Sequence, residues 1–533
     1  MNPMNTKPVI SIIKLLPVLI AAVALLLTAT AHAAAPGITG TTFNLTAQAA
    51  YISQPDGSMI YSWGYGCSSG GTAAPANIAP TTGTVCSNVM QVPGPTLIVT
   101  QGQTVTVNLT NNLPTAAGNT SILFPGLNLA TGSSGVAGLL TQEAVPGGTV
   151  TYTFTASTPG TRAYYSGTQG DLQVEMGLYG AIIVLPSATP TNCTSGLAAQ
   201  NRTAQAHWSE SNYTLARAAY NHPQACYDRE YLFQFSEMDP RIHRQAQEQV
   251  AARSTCVAGA PGCSLEIATE PYLPAYYMIN GRSMPDDMDP NYAPEYPHQP
   301  YNGNPHMHPG EQVLLRIIGQ GRWQHPFHEH GNHVRVLGRD GNLIVSQSDP
   351  TNSLAGPLLF TTTTTPGQAM DGIFYWTAKG LNWDAYGHNP ASSDPVAKLS
   401  CIPDANGYNT SAPTAINYFE WCQDHNKPLQ VAPFGDIAGL GPVTLPDANI
   451  LTNGAWYGGS PYLGPDATVR ASGPTGTTPP SGTIANSPTS EAGFAFMWHS
   501  HNEREITTNN IFPGGMMMMM LVDSREFVID ESN

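Results

Sequence analysis

Fifteen histidines are spread unevenly along this chain of 533 residues. Four of them, His325, His328, His330 and His333, fall in the nine-residue run "HPFHEHGNH", and His499 and His501 form an H-x-H around Ser500. A further pair, His306 and His308, stands in "PHMHPG" ahead of a strand-like run. Side chains on a β-strand return to the same face every second residue, so an H-x-H points both imidazoles one way. Two such pairs on neighbouring strands can surround one ion with four nitrogens, a donor set that suits Cu(II) or Zn(II). A lone histidine is more often a packed or backbone-bonded side chain. Two H-x-H pairs in an apolar, β-rich region tip the balance toward metal, and the His306/His308 pair carries less weight. No G-x-S-x-G nucleophile elbow stands near these histidines, so hydrolytic triad chemistry has no support.

The elements that must position them read as strands. "TLIVTQGQTVTVNL" (Thr96–Leu109) alternates, with Gly102 at a turn; "TVTYTFTA" (Thr149–Ala156) alternates too, and Ala181–Leu185 is a short apolar strand. A second block supplies Glu230–Pro240, Tyr276–Gly281, Glu311–Gly319, His333–Gly338, Met370–Trp376, Gly493–His501 and Met516–Asp523. The expected layout is a first β-sandwich over 40–186, a Cys-bearing connector over 187–228, and a second sandwich over 229–533. A Gly/Pro/Asn-rich stretch, about 377–490, is too long for a plain loop and reads as an insertion in the second sandwich. The aromatic, Gly-rich run Tyr375–His388, which leads from the end of the Met370–Trp376 strand into it, reads as rim or packing, and the methionine run after Gly515 as core.

Residues 1–33 carry Lys7 and Lys14 around the start of an apolar run ending in Ala31-His32-Ala33, a small-x-small cleavage pattern, so they read as an export signal. No later segment is apolar long enough to span a bilayer. The composition, with 52 glycines, 46 prolines and only 11% charged residues, fits a turn-rich β protein. A formal charge of −16 argues against nucleic acid or anionic membrane as partner. Eight cysteines fall in four neighbouring pairs, Cys67/Cys86, Cys193/Cys226, Cys256/Cys263 and Cys401/Cys422; an even count in an exported chain suggests disulfides, with local pairing the simplest arrangement. The destination after export, whether periplasm, medium or cell surface, is left open.

The motifs also occur in a recognisable order. "PGPTLIVTQGQTVTVNLTNNLP" (Pro93–Pro114), "TSILFPGL" (Thr120–Leu127) and "GLYGAIIVLP" (Gly177–Pro186) resemble the first domain of a multicopper oxidase. "HPFHEHG" (His325–Gly331) and "WHSHNERE" (Trp498–Glu505), followed by "GGMMMM" (Gly514–Met519), resemble that family's HPxHxHG and HCHxxxH segments. The resemblance implies an all-β fold of two cupredoxin-like Greek-key sandwiches, copper as cofactor and an unidentified small-molecule substrate. Two-domain members of the family usually assemble, so a homo-oligomer is a candidate state.

The departures from the family pattern are specific. The family's first-domain H-x-H is here Leu123-Phe124-Pro125, and the second first-domain pair falls in "YYSGT" (Tyr164–Thr168), which has no histidine. By resemblance, the blue copper would take His325, but Ser500 stands where the family has cysteine and Glu505 where it has the last histidine. A hydroxyl cannot replace a thiolate in tuning copper. The resemblance leaves His328, His330, His499 and His501 as a surviving half-site, with His325, His333 and Glu505 (or Glu503) as further metal ligands. Glu329, between two of them on the opposite face, reads as outward or supporting. The expectation is one or two copper ions, with zinc the less favoured metal. Catalytic residues stay unassigned, and ordinary laccase activity is not expected. The chain reads either as an oxidoreductase with a reduced His-rich copper site or as a non-catalytic extracellular protein that holds copper or builds structure.

Overall fold

The computed structural model describes residues 35–75, 78–80, 85–130, 134–194, 215–379, most of 401–423, short strand segments between 459 and 485, 493–523 and residue 529. The expected export signal, much of the expected insertion and His388 lie outside the described residues.

Alternation builds the first sandwich. Thr104–Asn111 buries every second side chain, and its neighbour Thr149–Thr155 does the same. Gly102, at φ +90°, makes the turn between Leu97–Thr100 and Thr104–Asn111, a left-handed conformation that costs glycine nothing. That turn sends the two strands into different sheets. One sheet runs Gly160–Tyr165, Tyr179–Leu185, Leu97–Thr100, Gly37–Thr39, Thr72–Ala74; the other runs Thr149–Thr155, Thr104–Asn111, Thr42–Ser53, Met59–Ser69, Met90–Gln91. Leu45, Val105, Val107, Phe124, Phe154 and Ile182 fill the space between.

The second sandwich repeats the plan. Its first sheet is built on Arg229–Met238, Gln312–Gly319, Ala369–Tyr375 and Val334–Arg339. Its other sheet runs His306–Met307, Met517–Asp523, Gly493–Ser500, His325–Glu329, Thr361–Thr364. An aromatic core of Phe233, Phe235, Phe327, Phe374, Trp376, Phe496 and Trp498 joins them. Both units are the expected all-β, cupredoxin-like sandwiches, mixing parallel and antiparallel neighbours. One element was not expected, the helix Pro240–Ala252. Asp239 caps it by accepting from the Arg241 N–H, Pro240 opens it, and Ile242 and Ala246 join the first sandwich's core. All four disulfides join the neighbouring cysteines: Cys67–Cys86, Cys193–Cys226, Cys256–Cys263 and Cys401–Cys422. Among the described residues no helix is long and apolar enough to cross a membrane.

A buried polar knot ties the sandwiches together. Asp371 of the second accepts from the Thr161 N–H at 3.0 Å and the Thr161 hydroxyl at 2.5 Å in the first. The Tyr220 hydroxyl, on the chain between them, also donates to Asp371, at 2.6 Å. Arg316 faces this carboxylate at 3.5 Å while pairing with Glu230 at 2.8 Å. Removing one member of a buried charged set leaves the others uncompensated, at about 3–5 kcal/mol. Asp371→Leu should therefore lower stability by about that amount and separate the unfolding of the two sandwiches. Urea melts read by tryptophan fluorescence and by far-ultraviolet dichroism would check this, and coincident transitions at wild-type stability would contradict it.

Candidate metal centre

Two antiparallel strands place the imidazoles. His325–Glu329 pairs with Gly493–Ser500 so that Phe327 faces Ser500, His328 faces His499 and Glu329 faces Trp498. Phe327 and Trp498 point into the aromatic core, which turns His328 and His499 to the opposite face of the sheet. His330 follows the strand's end, anchored where the Trp498 indole N–H donates to its carbonyl at 2.9 Å. Ligand atoms of His328, His330 and His499 lie within 4.8 Å of one another. The Nε2 atoms of His330 and His499 are 3.3 Å apart. That is about the separation of two imidazole nitrogens that both bind a first-row ion at roughly 2.0–2.1 Å. The ring of His501 lies 4.8 Å from that of His328 and 5.5 Å from that of His499, on the exposed side of the group.

Hydrogen bonds orient the rings. His328 Nδ1 meets the Thr361 hydroxyl at 2.7 Å, and His499 Nδ1 meets the Ser500 carbonyl at 2.7 Å. With Nδ1 engaged, Nε2 is the atom each ring can offer to a metal, the usual division of labour in a metal-binding histidine. Burial, and then the proximity of His330, His499 and His501, pushes His328 down to about 4. Burial likewise lowers His499. At neutral pH these two rings are therefore neutral, the state in which imidazole binds metal. The residues fit a borderline or soft transition ion.

His325 and Glu505 lie elsewhere. His325 points to the core side of the same strand, fully buried, with Nε2 on Glu237 at 2.8 Å and Nδ1 on Glu505 at 2.9 Å. Burial alone would lower this histidine, but the bonds to the two carboxylates and their charges raise it to about 9. Both nitrogens donate, so neither has a lone pair for an ion. Ser500, also buried, donates its hydroxyl to Glu505. Glu237 was not singled out from the sequence, because nothing local to "FSEMDP" ties it to a histidine 88 residues away. His333 is half-buried against Phe360, with ring centres 5.2 Å apart, and is not part of the three-histidine group. Glu503 is exposed. Glu329 faces inward instead of outward: it is fully buried, accepts from Thr362 at 2.5 Å, and burial raises it to about 8. His306 is bonded through Nδ1 to Asp523 at 2.8 Å, a structural pairing.

The first sandwich brings no histidine. Leu123 pairs with Tyr165, and both line a cavity of about 280 Å³ together with Ser166, Gly167, Gln320 and Arg322. None of the cavity's lining residues is a histidine. All eight cysteines of the chain are in disulfides, so no thiolate is present for a metal.

The His325 triad predicts a pH signature. A histidine at about 9 when folded, against its ordinary 6.5, contributes stability that is full below pH ~6.5 and lost as pH rises through ~9. The amount is on the order of 3 kcal/mol. Denaturant titrations of metal-free protein between pH 6 and 10 should show this decline, and His325→Gln should be less stable and nearly flat over that range. An equal alkaline decline in the variant would contradict the assignment.

Comparison with known proteins places these observations in a family. One multicopper oxidase family model matches residues 72–189 and a second matches residues 268–374, one in each sandwich. An L-ascorbate oxidase of Brassica rapa subsp. pekinensis is 38% identical over 96 residues, 18% of this chain and 16% of that protein. Multicopper oxidase MCE of Talaromyces pinophilus is 33% identical over 124 residues, 22% of this chain and 20% of that protein. The matched stretches thus span a fifth or less of these relatives' lengths. The solved multicopper oxidase mgLAC aligns over 90% of this chain and 86% of its own, with 16% identity and a TM-score of 0.44. With a matching family model in each of its two β-sandwiches, the chain belongs to the multicopper oxidase superfamily.

Proposed function

We propose that this is an exported copper-binding protein of oxidoreductase type that works with one imidazole-bound copper site in its second sandwich and has neither a blue copper nor a trinuclear centre. The observation that carries the proposal is the convergence of His328, His330 and His499 within 4.8 Å, with His501 beside them on the exposed side. These four residues would hold the ion. Copper bound there supplies one-electron chemistry at a surface reached from solvent. The Ser500 carbonyl, which can only accept, holds the His499 ring in the tautomer that leaves Nε2 free to ligate; the Thr361 hydroxyl orients the His328 ring, and burial keeps both rings unprotonated at neutral pH. His325 and Glu505, expected among the ligands from the family pattern, have no such role in this reading, because His325 engages Glu505 through Nδ1 and Glu237 through Nε2. His333 is likewise left out. Cysteines committed to disulfides support both the lack of a thiolate centre and an oxidising destination outside the cytoplasm.

The saturation of His325 also favours a second reading, in which the protein holds copper without turning over a substrate, since among the described residues no second group of metal ligands stands beside the first. Metal analysis separates these. After reconstitution with copper, mature protein should retain about one ion per chain and give a Cu(II) EPR spectrum with nitrogen hyperfine structure. The His328→Ala/His499→Ala variant should lose both. Copper retained equally by the variant would overturn the site. Stable binding of zinc alone would leave the site standing but remove the oxidoreductase reading, and a copper signal that no reductant or oxidant alters would favour simple copper holding.

A further inference from the structure

The strand beside the imidazoles carries five consecutive methionines, Met516 to Met520. Alternation divides them. Met516, Met518 and Met520 enter the aromatic core, as does Val522, so packing accounts for those three. Met517 and Met519 are on the other face of the sheet, the face that carries the imidazoles. The registers make a continuous row across four strands: Thr361 opposite His328, His328 opposite His499, His499 opposite Met517. One step along the strands, Met497 stands opposite Met519. Met497 is two residues from His499 and so shares its face. Directly opposed side chains on neighbouring strands have Cβ atoms about 4.5–5.5 Å apart, within reach of a methionine's flexible thioether. Met497 and Met519 are half-buried, so solvent reaches this side of the group, while Met517 is nearly covered.

We infer that Met497, Met517 and Met519 form a thioether flank to the imidazole group that holds copper in its cuprous state. The inference rests on the proposed copper site and adds to it a preference between oxidation states. Thioether sulfur is a soft, neutral donor: it binds Cu(I) well and contributes little to Cu(II) or Zn(II), whereas imidazole serves all three. A site with imidazoles on one side and sulfurs on the other can pass a copper ion between two donor sets without releasing it. Packing alone does not call for sulfur at these positions. Leu521 continues the same outward series, where a plain apolar side chain suffices.

Leucine matches methionine closely in volume and lacks only the donor atom, so Met497→Leu/Met517→Leu/Met519→Leu tests the sulfur with little effect on packing. Mature protein would be titrated anaerobically with Cu(I) against bicinchoninate, and separately with Cu(II), with thermal melts to show that the fold is kept. X-ray absorption of the Cu(I)-loaded protein would report sulfur neighbours. The expected result is a sulfur shell in wild type that disappears in the leucine variant, with Cu(I) affinity falling about tenfold or more and the Cu(II) spectrum unchanged. Cu(I) affinity within about twofold of wild type, or no sulfur shell in the wild-type protein, would overturn the inference. The His328→Ala/His499→Ala variant keeps the two questions apart: Cu(I) retained through sulfur in that variant would sustain the thioether flank while the proposed imidazole site failed. Binding of neither ion by wild type would refute both.

Discussion

The pairing register between His325–Glu329 and Gly493–Ser500 is the constraint on which the site depends. Side chains alternate strictly along a strand, so a slip of one residue in either strand would carry His328 or His499 into the aromatic core and expel Phe327 or Trp498. What prevents it is the cost of taking large aromatics out of a packed interior. Phe327 lies 4.7 Å from Phe235, and Trp498 lies 4.9 Å from Phe374, measured between ring centres. Such rings bury large areas and add geometry-dependent contacts beyond area alone. The imidazole-bearing side of the sheet is thus defined by what its other side buries. The register between Gly493–Ser500 and Met517–Asp523 fixes the methionines in the same way, since Met517 opposes His499 only while Met518 and Met520 remain in the core.

Two histidines three residues apart on one strand show how far environment, and not residue type, decides chemistry. His325 lies between Glu237 and Glu505 and is held charged; His328 lies among other imidazoles and is held neutral. Both are buried, and burial disfavours charge in each. In His325 two carboxylates more than offset that penalty; in His328 like-charged neighbours add to it. Glu329, one residue on, has no charged partner of this kind among the described residues, and burial pushes its carboxyl up to about 8 despite the bond from the Thr362 hydroxyl. One short strand thus holds a cation, a neutral imidazole and a carboxyl shifted toward its protonated form.

Much of the fold was legible because strand alternation is local. The strands around Thr104 and Thr149, and those of the second block, lie where the alternating text places them. The helix Pro240–Ala252 was missed, although Asp239-Pro240 is an N-cap signal, because the apolar run before it reads as a strand up to the proline and the helix itself is mostly polar. The cross-sandwich knot at Asp371 was also out of reach. Its partners Thr161 and Tyr220 are 210 and 151 residues away, and no local pattern joins them.

The sequence by itself determined the donor inventory: two H-x-H pairs, no histidine in the first-sandwich segments that resemble ligand motifs, and serine where the family pattern has cysteine. It also indicated the four local disulfides, since short separations leave close partners. Only the tertiary structure decided which donors face one another. A strand's period says that His328 and His330 share a side, but not whether that side meets other imidazoles. Likewise, Glu505 becomes a partner of His325 only because folding brings together groups 180 residues apart. A ring nitrogen's role is set by the atom it points at, and that atom is supplied by distant parts of the chain.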